Sequence, residues 1–404
     1  MRLFYSTVIY ILVFLFCIFL FKLSEQEFKN CTLNNKKISK FSSKKFKGYF
    51  YAFLAITIIC IFAAIRAEDV GVDTKGYPIK FMKLAKDSGS YSALIKKESD
   101  LSNEPMGALL VYSCSLFTEK SCLLLFFYQF LTIVPIFLAA LQFKDDLSIT
   151  DAMIVYIFVF FNNSLNMMRQ SVGCGFLLLS LTLLIKRKTI TKCFLTSLFA
   201  ILFHRSAIYG VVLIFGVYFS FFLNKKFFKY LIYVSIVLVP IILPLIVELV
   251  ANTTTDSHVL YYLDVFFYGK VKKDWLINPF SIYSLVYIIV SLCYLAMPIL
   301  FRTNFFNKKN NNNFKDEINI IEYKFASFNL IGFLLYCALL LSLKTMYGIR
   351  FSIYYDFIYI ISIPLAVNKR KAYSGIMFVA LTACWFLWIM RMGWSGSQFY
   401  HICI

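Results

Sequence analysis

Four arginines stand singly at what read as helix ends: Arg169 between Asn166 and Gln170, Arg205 between His204 and Ser206, Arg350 after Tyr347 and Arg391 between Met390 and Met392. A guanidinium binds phosphate in a planar, bidentate way and keeps its charge when partly buried. Several at one level make a site for an anion. The plain alternative is that each arginine snorkels to the headgroup region on its own. Beside them stands His204, a residue type suited to accepting a proton or donating a hydrogen bond near neutral pH, or simply to capping a helix end against a backbone carbonyl. Asp73 is the carboxylate best placed to act as a general base, in a stretch with Gly71, Gly76 and Tyr77. Its alternative role is to order that loop by capping a helix starting near Lys75, with Tyr77 packed beneath. Glu248, near the end of an apolar run, is a second carboxylate of interest, because an ionisable group at membrane depth is a functional candidate by default. No metal constellation is read: His204, His258 and His401 are far apart and no paired carboxylate motif accompanies them.

The elements that hold these groups must be membrane helices. Hydrophobic residues make up 60% of the 404, aromatics 19% and charged residues only 15%, with a mean hydropathy of +0.73; soluble chains carry about 45–50% apolar and about 25% charged residues. Apolar runs of about 18–22 residues recur, the length that crosses a hydrocarbon core as a helix. The expected fold is an all-α integral membrane protein, a polytopic bundle of about twelve transmembrane helices forming a single domain over 1–404. The helices are expected near 3–21, 49–65, 121–142, 151–165, 171–185, 193–203, 207–223, 230–250, 280–301, 324–343, 351–367 and 372–390. The first run meets Lys22, Leu23, Ser24 and Glu25 with no small-residue cleavage site, so it reads as a retained helix. The eleven cysteines are scattered without a C-x-x-C pair and read as small core residues.

The net charge of +20 is an orientation signal and needs no nucleic acid to explain it. Lysines gather on alternate connections: 22–48, 186–192, 225–229, 302–324 and 369–371. By the positive-inside rule these face the cytoplasm, so both termini lie outside, with contact to anionic membrane lipids as a by-product. The segment 107–117 is apolar but too short to span, and making it span would put the 186–192 cluster outside. It reads as an interfacial or re-entrant helix, giving one outward element over 66–120. The loop 251–279, rich in Tyr, Asp and Trp, is then outward, and 302–323, with its asparagine run, is a cytoplasmic connector. Six of nine arginines but only 11 of 32 lysines fall outward, so arginine is enriched where it cannot be serving orientation. The aromatics of 251–279 suit sugar-stacking platforms or an interface belt.

Arg66, Gly71, Asp73 and Tyr77 follow the second helix as R…G-x-D-x-x-x-Y and resemble the signature of the EpsG/Wzy-like family of bacterial polysaccharide repeat-unit polymerases. In the same order, Glu104-Pro105 resembles the family's E-P-G element, although Met106 intervenes before Gly107. Arg169-Gln170 resembles its R-Q, His204 to Ala207 its H-x-S-A, and Arg350 to Tyr354 its late R-x-x-x-Y. The resemblance covers most of the chain. It implies a GT-C-like glycosyltransferase of the bacterial inner membrane, free of cofactors and metal. Such an enzyme joins undecaprenyl-diphosphate-linked oligosaccharide repeats at the outer face, with a chain-length regulator as a further expected partner. It further implies Asp73, His204, Arg169 and Arg350 as catalytic groups and Arg66, Tyr77, Arg205, Tyr354 and Glu248 as contacts to diphosphate or sugar. Two other functions share the hardware: an O-antigen ligase-like transferase, and a flippase for lipid-linked sugars, which predicts duplicated halves and broken helices near the midplane.

Overall fold

The computed structural model describes residues 2–33, 43–71, 73–186, 189–219, 282–300, 324–338 except 326, 347–367, 371–393 and 396–402, with isolated positions between 226 and 253. Glu248, the loop 302–323 and nearly all of the loop 251–279 lie outside the described residues. The chain divides into two compact units, one formed by 1–208 with 363–404 and the other by 209–362.

The first unit is a bundle. Helix α1 (Arg2–Leu33) runs well past the expected end at residue 21. The polar residues that suggested a stop are satisfied largely by neighbouring elements. Ser24 Oγ donates to the Gly48 carbonyl at 2.7 Å, and Glu25 accepts from Ser148 Oγ and the Thr150 N–H, both at 2.8 Å, while pairing with Lys29 one turn on. Helix α2 (Ser43–Ala64) returns beside α1, followed along the chain by α7 (Cys122–Leu141), α10 (Met168–Ile185) and α11 (Ile190–Phe203). Neighbours pack α1 on α2, α2 on α7, α7 on α10 and α10 on α11. The α7–α10 contact depends on Gly175, where a Cβ would stand 2.7 Å from the Thr132 carbonyl oxygen; small residues of this kind let membrane helices approach backbone to backbone.

The expected helix 151–165 is a path in three pieces: α8 (Ile149–Val155), a π-helical turn over Tyr156–Phe160 and α9 (Phe161–Asn166). Met167, at φ −82° and ψ 52°, breaks the helix and α10 begins at once. The last helix, Lys371–Trp385 with a π-helical end at Phe386–Arg391, packs on α8 and the π turn. Between them lies an aromatic core in which Tyr10, Phe14, Phe158 and Trp385 meet edge to face at 5.5–5.9 Å. Trp385 Nε1 donates to Asn162 Oδ1 and Asn162 Nδ2 to Ser397 Oγ, so the polar atoms within this core are paired.

Among the described residues five helices are long and apolar enough to cross a membrane: Arg2–Asn30, Lys45–Ala64, Cys122–Leu141, Met168–Ile185 and Ala372–Arg391, with shorter apolar helices besides. Phe4, Leu12, Phe16 and Phe19 on α1 and Phe46, Phe50 and Phe53 on α2 are exposed. Such a rim is costly in water and natural against lipid chains. The protein is a helical membrane protein.

The stretch 66–104, read above as loop, is largely helical. A π-helical turn at Lys75–Ile79 runs into α3 (Lys80–Ser88), followed by α4 (Tyr91–Lys97), α5 (Ser99–Ser102) and α6 (Pro105–Ser115). These helices form because Phe81, Met82, Ala85, Leu94 and Leu101 fall on one side and are buried against Ala108, Val111, Leu124, Leu125, Val172 and Phe203. Their lysines occupy the other face, which is why the segment reads as polar. At eleven residues α6 is about 16 Å long, half the thickness of a hydrocarbon core.

In the second unit, helices Ile282–Leu300 and Tyr347–Asp356 are followed by Tyr359–Val367, so the expected helix 351–367 is interrupted by a turn at 357–358. Gly332 lies directly against the Tyr355 ring, and Asn329 ties the two sides by donating to the Tyr355 carbonyl at 3.2 Å and accepting from Ser362 Oγ at 2.6 Å.

Candidate active site

Along α2, α10 and α11, one end carries Arg66, Arg169 and His204 and the other Lys45, Lys186 and Lys192. The 18 residues of α10 separate Arg169 from Lys186 by about 26 Å. The arginine end and the lysine end are therefore opposite faces of the first unit. The carboxyl-terminal segment lies on the arginine face: the Ala67 N–H donates to the His401 carbonyl at 2.8 Å and the Gly71 N–H to the Gly396 carbonyl at 3.1 Å.

Arg66 is at the foot of this face, 3% exposed. Its guanidinium donates to the carbonyls of Ala63 at 2.6 Å, Leu165 at 2.9 Å and Val70 at 3.2 Å, and to Thr74 Oγ1 at 3.4 Å. Ala63 and Leu165 belong to the last turns of α2 and α9, whose free carbonyls carry the negative ends of the helix dipoles. Burial without a carboxylate partner lowers the Arg66 pKa to about 10, which still leaves it charged at neutral pH. The chain then turns at Gly71, where φ is +97° and a Cβ would stand 2.9 Å from Thr74 Oγ1; both the conformation and the space call for glycine. The Asp73 N–H donates to Asn166 Oδ1 at 3.1 Å. A helix does begin at Lys75 as expected, but Thr74 stands at the cap position, and the Asp73 carbonyl accepts from the Tyr77 N–H at 3.1 Å.

This clamp delivers Tyr77 to Arg169. The Arg169 guanidinium lies 5.2 Å from the Tyr77 ring centroid and 5.5 Å from that of Phe81, within cation–π range of both. On its other side it is ion-paired with Glu104, Nη1 to Oε2. The remaining oxygen of Glu104, Oε1, is 2.6 Å from Nδ1 of His204, and the backbone N–H of Arg205 also reaches the carboxylate. Glu104 is 6% exposed. Burial works to raise its pKa, but the His204 hydrogen bond, the charge of Arg169 and the Arg205 N–H outweigh it and hold the carboxyl below the usual range.

Tyr77, Glu104, Arg169 and His204 thus converge from four segments: the π turn, the start of α6, the start of α10 and the end of α11. Glu104 is the residue that sequence reasoning did not select. Its signal was present in the Glu104-Pro105 dipeptide, but a lone glutamate before a proline reads as a helix start until its two cationic partners are known. Arg205 is exposed, and among the described residues its side chain has no partner. Below the cluster, in α7, the hydroxyl of Tyr128 is buried without a hydrogen-bond partner among the described residues.

Arg350 and Tyr354 belong to the second unit, on helix Tyr347–Asp356, where Tyr354 is buried and Arg350 partly so. One turn on from Ser352, Asp356 Oδ2 accepts from Ser352 Oγ at 3.2 Å and from Tyr287 OH at 3.5 Å. Arg391 ends the last helix and is exposed. The nine cysteines whose side chains the structure describes are all free.

No curated protein and no solved structure shows significant similarity to this chain. The EpsG family model matches residues 49–401, from within α2 to the carboxyl-terminal segment and so across every element of the cluster. The chain belongs to the EpsG family.

Proposed function

We propose that this protein is a polysaccharide polymerase of the bacterial inner membrane. It transfers a growing glycan from one undecaprenyl diphosphate carrier to the next lipid-linked repeat at the outer face. Membership of the EpsG family supports a polysaccharide polymerase in general. The observation that carries the finer reading is the Tyr77–Glu104–Arg169–His204 cluster with Arg205 beside it, on the face opposite the lysine-rich ends. The positive-inside rule makes that face the outer one, with both termini outside a GT-C-like bundle of about twelve helices.

The donor's leaving group is a lipid diphosphate at headgroup level. Charge develops on it as the glycosidic bond breaks, and fixed cations meet that charge without needing to reorganise or to recruit a metal. Arg205 is assigned to the diphosphate, and Arg169 is the fixed charge that Glu104 holds near it. Arg350, with Tyr354 on the same helix of the second unit, is assigned to the diphosphate by its motif alone. Asp73 and His204 are the groups of this face assigned to taking the acceptor's proton. Arg66 is assigned to building the loop, since its donors are spent on protein acceptors. Membrane lipids and a separate chain-length regulator complete the partners.

Cells carrying Arg169→Ala, Arg205→Ala or Arg350→Ala are expected to insert the protein but to make single repeats in place of long chains. A wild-type ladder of lengths in all three would refute the site. Repeats trapped in the cytoplasmic leaflet would point to a flippase. Normal polymer left unattached to its lipid A core would point to a ligase.

A further inference from the structure

The contact between Glu104 and His204 has a direction. An ionised carboxylate only accepts, so at 2.6 Å the hydrogen must sit on Nδ1 of the imidazole. In the neutral ring that leaves the lone pair on Nε2. Among the described residues Nε2 has no partner, and the His204 side chain is 23% exposed, whereas that of Glu104 behind it is 8% exposed. The carboxylate itself is held from three sides: by Arg169 on Oε2, by His204 on Oε1 and by the Arg205 N–H. Arg169 in turn rests on Tyr77 and Phe81. The ring of this part-exposed side chain therefore has one tautomer, imposed from behind, and its basic nitrogen is the one that Glu104 does not hold.

From this geometry we infer that His204 is the general base for the acceptor sugar's hydroxyl and Glu104 its positioning residue. The inference rests on the polymerase reading above and goes beyond it in choosing His204 over Asp73. In the step, Nε2 takes the hydroxyl proton while the hydroxyl oxygen bonds to the donor's anomeric carbon. The anomeric carbon's bond to the diphosphate oxygen breaks, and its electron pair leaves with the diphosphate. The imidazolium so formed is stabilised by Glu104 until its proton passes to water. An orienting carboxylate behind a histidine base is a recurring solution to this problem, because it fixes the tautomer and stabilises the charge that forms.

The test uses the full-length protein in liposomes with a lipid-diphosphate-linked oligosaccharide repeat, scoring polymer on a gel. His204→Gly is expected to lose polymer formation by about 10²–10⁴-fold, the usual contribution of a general base, and added imidazole should restore at least tenfold of it. Glu104→Gln should lower kcat by about 10–100-fold with little change in KM, and the double variant should be no slower than His204→Gly alone, since the two act as one unit. Active wild type combined with no imidazole rescue, or with multiplicative losses in the double variant, would overturn the assignment. If Glu104→Gln fails to insert, imidazole rescue of His204→Gly still decides the matter. A wild-type protein that makes no polymer overturns the polymerase reading itself.

Discussion

Replacing Arg66 separates loop building from ligand binding. Arg66→Met keeps the length and apolar stem of the side chain but removes all of its donors, leaving the carbonyls of Ala63, Leu165 and Val70 buried without this partner. Each hydrogen bond from a charged donor is worth about 1.5–3 kcal/mol net, and each stranded buried acceptor costs about 1–3 kcal/mol. Against this, removing a fully buried guanidinium recovers part of its desolvation cost, several kcal/mol on its own. The balance is a loss of about 3–5 kcal/mol, close to what breaking a buried ion pair costs, and it falls where α2, α9 and the 66–77 turn meet. At 1.4 kcal/mol per tenfold, opening of this turn rises by at least about 100-fold. Limited proteolysis of the liposome-embedded protein reads this directly as faster cleavage within 66–104, and thermal unfolding in detergent reads it as a lowered Tm. Arg66→Lys should fare little better, because a single ammonium cannot span acceptors on two helix ends. If Arg66→Met resists protease like wild type while polymer formation is lost, Arg66 is a ligand for the diphosphate and the structural argument fails.

Three other expectations follow from the same packing. Gly175→Leu puts a side chain into the Thr132 carbonyl, so α7 and α10 must separate; a destabilisation of about 1–3 kcal/mol is expected in thermal unfolding, and an unchanged Tm would show that the helices are not in backbone contact. The lowered pKa of Glu104 ties stability to pH with a definite sign. Its contribution is complete above the ordinary glutamate value of about 4.3 and is lost as the pH falls through the lower folded value, so the Tm gap between wild type and Glu104→Gln should shrink as the pH falls through that range; a gap that persists unchanged in acid would contradict the ion pair. Tyr77→Phe keeps a ring under Arg169 and Tyr77→Leu does not, so the former should polymerise about 2–5-fold faster, the worth of an exposed cation–π contact; equal rates would mean that the stacking does not position Arg169.

Much of this was legible in the residues themselves. Apolar run length and mean hydropathy determine a helical membrane protein regardless of tertiary detail, because backbone polar groups in lipid must be satisfied within each segment. The alternation of lysine clusters placed Arg66, Arg169 and His204 on one side, and in the structure they do share one end of the bundle. The spacing of short motifs gave the family, which the match over 49–401 shows. Tertiary structure alone decided what each motif residue does. Arg66 and Arg169 look alike in sequence, yet one spends its donors on carbonyls at two helix ends and the other is paired with Glu104 and stacked on Tyr77 and Phe81. Glu104 was noted only as part of a motif and given no role of its own, because its partners lie 65 and 100 residues away. The helices of 66–104 were hidden for a similar reason: their apolar faces are short and are completed only by α6, α7 and α10. Local pattern reports what a segment is made of, whereas the role of a charge depends on which opposite charge the fold brings within 3 Å of it.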